Sequence, residues 1–112
     1  MNPNNIRKWD IVNARINPAD RDKHPLVVVS PQSVIDSAKL VNVLFGSTKR
    51  PAINLPPGRV LLDEADGVER LTVVNCAFVH SAKPEELMEV VGSVSRARRE
   101  EIRRVLSQTF AP

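Results

Sequence analysis

Lys23-His24-Pro25-Leu26-Val27-Val28-Val29-Ser30 is the stretch around which the chain must fold. Leu26 to Val29 is an unbroken apolar run rich in β-branched valines, stiff at χ1 and suited to a pleated surface. It reads as a central strand buried on both faces. Pro25 has no N–H and a fixed φ, which suits the first residue of a strand. Lys23 and His24 then stand at the mouth of that strand, where the core meets solvent.

Working outward, Asn17 to Lys23 is turn chemistry, with Asx residues, a proline and a cluster of charges. Before it, Trp9 to Ile16 alternates well enough for a half-buried strand with Trp9, Ile11 and Val12 turned inward. Residues 1–8 are polar and Asn-rich and are expected to be loosely held. Beyond Ser30, Val34 to Ala38 reads as a short helical turn and Leu40 to Phe45 as the next strand. Gly46-Ser47-Thr48-Lys49-Arg50-Pro51 is a loop carrying two hydroxyls and two cations. Ala52 to Leu55 is a short edge strand closed by Pro56-Pro57-Gly58. Val60 to Leu62 and Leu71 to Val79 are further strands, separated by the acidic turn Asp63 to Gly67.

The last third changes character. Pro84-Glu85-Glu86-Leu87 has a proline at a helix-starting position followed by acids. Met88 to Val94 is a last strand, and Ser95 is an N-cap for a helix over residues 95–110. In that helix Ile102, Val105, Leu106 and Thr109 recur at helical spacing. Short strands with Pro and Gly turns and one late amphipathic helix predict a mainly β fold, a small barrel or sandwich with a C-terminal α-helix, in one domain over residues 1–112.

Composition bounds the function. With 42% apolar but only 4% aromatic residues, the core is built from Val, Leu, Ile and Ala. The single Cys76 excludes an internal disulfide, and no apolar run is long enough for a membrane span, so the cytoplasm is the expected location. A net charge of +3 and a pI near 9.5 favour acidic partners such as nucleic acid or an acidic polypeptide. Asp63, Glu64 and Asp66 are joined by no His or Cys, and their spacing fits a solvated turn better than a metal site. No metal or cofactor is expected.

The order of elements and several short phrases resemble the MazF/PemK-like toxins of type II toxin–antitoxin systems. These are Trp9-Asp10-Ile11-Val12, then a polar loop, then His24-Pro25-Leu26-Val27-Val28-Val29-Ser30, then a strand ending in small hydroxyl residues, and finally Val91-Gly92-Ser93-Val94-Ser95 leading into the terminal helix. The resemblance covers roughly residues 9–110. It implies an SH3-like β-barrel, a homodimer, an endoribonuclease acting on single-stranded RNA, and neutralisation by an antitoxin polypeptide. The arginine that the family places before the proline of the central strand is His24 here. The family threonine falls on Ser47, or on Thr48 with a shift of one. A second family arginine, in a Gln-x-Arg-Thr phrase, falls on His80, beside Ser81. Imidazole does not replace guanidinium in kind, because arginine holds phosphate charge at any pH.

Another chemistry fits two histidines. Metal-independent RNA cleavage needs a base for the 2′-hydroxyl, an acid for the leaving 5′-oxygen and cations for the transition state. His24 and His80 can take the first two roles with Ser47 beside them, while Lys23, Thr48, Lys49, Arg50 and Ser81 are candidate substrate contacts. Taken singly these residues have plainer readings: a solvated loop histidine, turn-forming hydroxyls and an exposed basic pair. The arginines of residues 96–104 alternate with Glu100 and Glu101 and read as a salt-bridged helix face. Cys76, inside an apolar strand, reads as a small buried hydrophobe. A barrel of the family that has lost its arginines and only binds nucleic acid or a protein is the competing functional class.

Overall fold

The computed structural model describes residues 2–15, 19, 21–48 and 55–110. The strands are β1 (Asp10–Ala14), β2 (His24–Val28), β3 (Val41–Ser47), β4 (Arg59–Leu62), β5 (Thr72–Ala82) and β6 (Glu89–Ser93). The α-helices are α1 (Gln32–Ser37) and α2 (Arg96–Phe110), and single 3₁₀ turns span Glu64–Asp66 and Pro84–Glu86. The strands form one antiparallel sheet in the order β4-β5-β3-β2-β1-β6, with the Leu26–Val28 stretch in its interior. The mainly β fold with a C-terminal helix holds, as an open, curled half-barrel. Lys49, Arg50 and most of the expected edge strand Ala52 to Leu55 lie outside the described residues.

The period of two along each strand sorts the core into two layers. Ile11, Val27, Leu44, Val74 and Cys76 belong to one, which α2 covers with fully buried Ile102 and with Val105 and Leu106 packed against it. Burying a side chain such as Ile102 contributes about 1.5–3 kcal/mol, enough to dock a helix otherwise dominated by charge. Val12, Leu26, Val28, Val41 and Val43 belong to the other layer, covered by Ile6, Ile35 of α1 and Leu87. The central strand is buried on both faces because each face has its own lid. On α2, Thr109 is exposed, contrary to its place in the predicted apolar stripe, and its hydroxyl donates to the Val105 carbonyl at 2.9 Å.

The expected loose terminus is instead tied down over residues 2–8. Ile6 is fully buried, and the Asn2 side chain accepts from the Ile6 N–H at 2.8 Å and donates to its carbonyl at 2.7 Å. Asn2 also donates to Asp36 of α1 at 2.9 Å. One buried isoleucine anchors a segment whose composition is otherwise that of a free end. Trp9 follows with φ +76°, a conformation held because its N–H donates to Val28 at 2.7 Å and its carbonyl accepts from Val94 at 3.0 Å. Its ring is buried, with the Lys8 ammonium 5.4 Å and the Arg103 guanidinium 5.3 Å from the ring centre.

The acidic turn also departs from expectation. Asp66 is buried, accepting from the Ser95 N–H at 2.8 Å and the Asp63 N–H at 2.9 Å, with the Arg98 Nε 3.5 Å away. Burial pushes its carboxyl up, but hydrogen bonds from Ser95 and Asp63 and the Arg98 charge hold it below the usual range. The turn is the clamp that fixes the start of α2. Of the arginines expected to pair along the helix, Arg98 pairs with Glu101 and Arg103 with Glu100, each three residues apart, whereas Arg99 donates to the Val94 carbonyl and the Ser93 hydroxyl.

Candidate nucleic-acid interface

Strand parity leads from the core to the site. His24 lies two residues before Leu26, Phe45 and Ser47 lie two and four after Val43, and His80 sits opposite Val43. Asn75 pairs with Phe45, Val73 with Ser47, and Arg59 with Asn75. All these side chains therefore fall on the sheet face that Ile6, Ile35 and Leu87 cover further along. Where that cover stops, the face opens into a groove of about 750 Å³. Its lining includes Lys23, His24, Phe45, Ser47, Thr48 and His80.

The groove floor is a three-ring array across three adjacent strands. Phe45 on β3 meets His24 of β2 on one side and His80 of β5 on the other, both edge to face with ring centres 5.2 Å apart. The phenyl ring thus spaces the imidazoles and limits their rotation. Next to Phe45, Gly46 is closely packed, since a Cβ there would stand 2.9 Å from Thr72 Cγ2 and 3.0 Å from the Pro25 carbonyl oxygen. The expected Gly46-Ser47 loop is instead the end of β3, paired with Val74 and Val73. His80 lies inside β5 and not just beyond the strand expected to end at Val79. β5 runs on to Ala82, and its register against β3 shifts so that Val43 and Phe45 face His80 and Asn75. This irregularity is what brings His80 alongside Phe45.

The remaining candidates divide. Thr48 is exposed on the groove, and Lys23 lines it but is ion-paired with Glu89 of β6. That pairing holds the exposed Glu89 carboxyl below its ordinary range. Ser81 is exposed and does not line the groove, but shares a small neighbouring cleft with His80, Arg15 and Glu86. Lys49 and Arg50 lie outside the described residues. Three groove residues escaped the sequence reading: Arg59, Arg70 and Asn75. Strand pairing reveals Arg59 and Asn75, and Arg70 comes from the segment just before β5. A second cleft of about 500 Å³ adjoins the groove through Pro25, Thr48 and Arg70, and is rimmed by Asn13, Glu69 and Glu89.

The chemistry available is that of two imidazoles, two hydroxyls, an amide and several cations. Among the described residues no cluster of His, Cys, Asp or Glu is arranged to hold a metal ion. Cys76 is buried on the opposite face, and burial pushes its thiol up to about 11, so it stays protonated and unreactive near neutral pH. Among the described residues no helix is long and apolar enough to cross a membrane.

Comparison with known proteins agrees with this architecture. No curated protein matches the chain. Among solved structures it is similar to an endoribonuclease in complex with its cognate antitoxin from a mycobacterial species, with 18% identity, TM-score 0.79, and 96% of this chain and 97% of that one covered. It is also similar to MazF of Deinococcus radiodurans, at 18% identity and TM-score 0.75, with 96% and 97% covered. A third likeness is to the Mycobacterium tuberculosis toxin MazF-mt6, at 16% identity and TM-score 0.73, with 90% and 95% covered. At such identities the likeness is one of fold. The family model for the PemK-like, MazF-like toxin of type II toxin-antitoxin systems matches residues 7–110, nearly the whole chain, and the chain belongs to that family.

Proposed function

We propose that the protein is an endoribonuclease toxin that cleaves single-stranded RNA without a metal, using His24 and His80 as its acid–base pair. The observation that carries this reading is the placement of both histidines, distant in sequence, against the same Phe45 ring in one open groove. A neutral imidazole takes the proton of a 2′-hydroxyl as its oxygen attacks the adjacent phosphorus. The protonated imidazole gives a proton to the departing 5′-oxygen, leaving a 2′,3′-cyclic phosphate and a 5′-hydroxyl. Ser47, beside the floor on β3, is placed to donate a hydrogen bond to the phosphate. Family membership supports a cytoplasmic protein neutralised by an antitoxin polypeptide that competes for this groove.

Purified protein should cleave a mixed-sequence single-stranded RNA in the presence of EDTA, with a bell-shaped dependence of rate on pH. His24→Ala and His80→Ala should each slow cleavage by roughly a hundredfold or more. Cleavage unchanged in the double variant would remove the imidazole mechanism. The absence of both family arginines favours a second reading, a non-catalytic member that only binds RNA. Binding without cleavage by the parent protein would select it.

A further inference from the structure

Arg59 and Arg70 enter the groove from positions that match no family phrase in the sequence. Arg59 stands on β4 in the cross-strand row Arg59, Asn75, Phe45, so its stem rises beside the aromatic floor on the outer, β4 side. Arg70 precedes β5 and lines both the groove and the adjoining cleft, whose other walls include Asn13 of β1, Glu89 and Val91 of β6 and residues 67–69. Arg59 thus stands on the β4 side of Phe45, and Arg70 on the side where the groove meets the adjoining cleft. Among the described residues neither forms an ion pair. Arg59 Nη1 donates to the Pro57 carbonyl at 3.3 Å, which uses one of its five donors.

The charge inventory makes these two residues decisive. A dianionic transition state and a polyanionic chain need cations that persist at every pH, and imidazole supplies none above its titration. Lys23 is engaged by Glu89, and Asp22 is the one carboxylate among the groove's described lining residues. Among the described residues, unpaired permanent positive charge lining the groove is thus concentrated on Arg59 and Arg70, and a planar guanidinium fork matches two phosphate oxygens. We infer that Arg59 and Arg70 are phosphate-holding residues at the two ends of the groove, drawing a single RNA strand over the His24–Phe45–His80 floor. The inference rests on the RNA-cleaving reading above and deepens it: the charge that the family keeps at the strand mouths has moved to β4 and to the approach of β5. Backbone contacts of this kind position the strand without reading its sequence.

The test uses labelled 2′-O-methyl RNA oligomers, which bind but lack the attacking hydroxyl, with affinity read by fluorescence anisotropy over a salt series. Arg59→Gln and Arg70→Gln should each weaken binding roughly ten- to hundredfold, the size of one charged hydrogen-bonded contact. Each should also reduce the slope of log K against log salt by about 0.7, one phosphate on a single strand. Shortening the oligomer from one end should abolish the effect of one variant, and shortening from the other end the effect of the other. Parent binding with both variants matching it in affinity and slope would overturn the clamp while leaving the RNA reading intact. Weaker binding with an unchanged slope would also overturn it, as local disruption. A parent that binds no oligomer would overturn both.

Discussion

Asp66 shows how much one side chain can carry. Its two oxygens close the 3₁₀ turn, receive the first amide of the helix region and face Arg98. Asp66→Ala would leave two amide donors without their acceptor and remove a carboxylate from beside the Arg98 Nε, although Arg98 keeps Asp63 and Glu101, and should lower stability by about 3 kcal/mol. Its folded pKa lies below its unfolded value, so the stabilisation is fully present above the ordinary carboxylate range and is lost as pH falls through the folded pKa. Urea midpoints of parent and variant should differ most at neutral pH and converge in acid. A difference that persists undiminished in acid would contradict the assignment. In sequence this turn reads as solvated, because a partner 29 residues away leaves no local mark. The same limit hid Arg59, Arg70 and Asn75, whereas His24 was legible because Pro25 and the valines that follow it define a strand mouth on their own.

At the scale of elements, the strands were legible where apolar runs are long, and their ends and registers were not. Leu71 to Val79 announces β5, yet its extension to Ala82 and its shift against β3 depend on a neighbour that no local pattern specifies. The seating of β6 is another case. A Cβ on Gly92 would stand 2.4 Å from the Asp66 carbonyl oxygen and 3.2 Å from the Gly67 Cα, both backbone atoms that cannot swing aside. Gly92→Ala should therefore push β6 from the acidic turn and cost about 1–3 kcal/mol, the range for overpacking. Thermal unfolding followed by circular dichroism measures it, and a midpoint equal to that of the parent would show that the strand shifts without cost.

At the scale of the whole molecule, the sheet formed by the described residues has two outer strands, β4 and β6. Met88, Val90 and Val91 on or beside β6 are 71%, 47% and 37% exposed, an apolar edge of the kind that proteins cover by association. We expect a second copy of the chain to cover such surface in a homodimer, measured by sedimentation at micromolar concentration, with Val90→Lys shifting the population toward monomer. A parent that sediments as a monomer throughout that range would rule this out.

Trp9, held in its left-handed turn between the sheet and Arg103 of α2, is also the chain's single tryptophan, and there is no tyrosine. All visible indole emission therefore comes from one seam of the molecule, where the strands meet the terminal helix. A buried indole emits to the blue of a hydrated one, so lifting α2 alone would redden the light while the ellipticity of the strands stays in place.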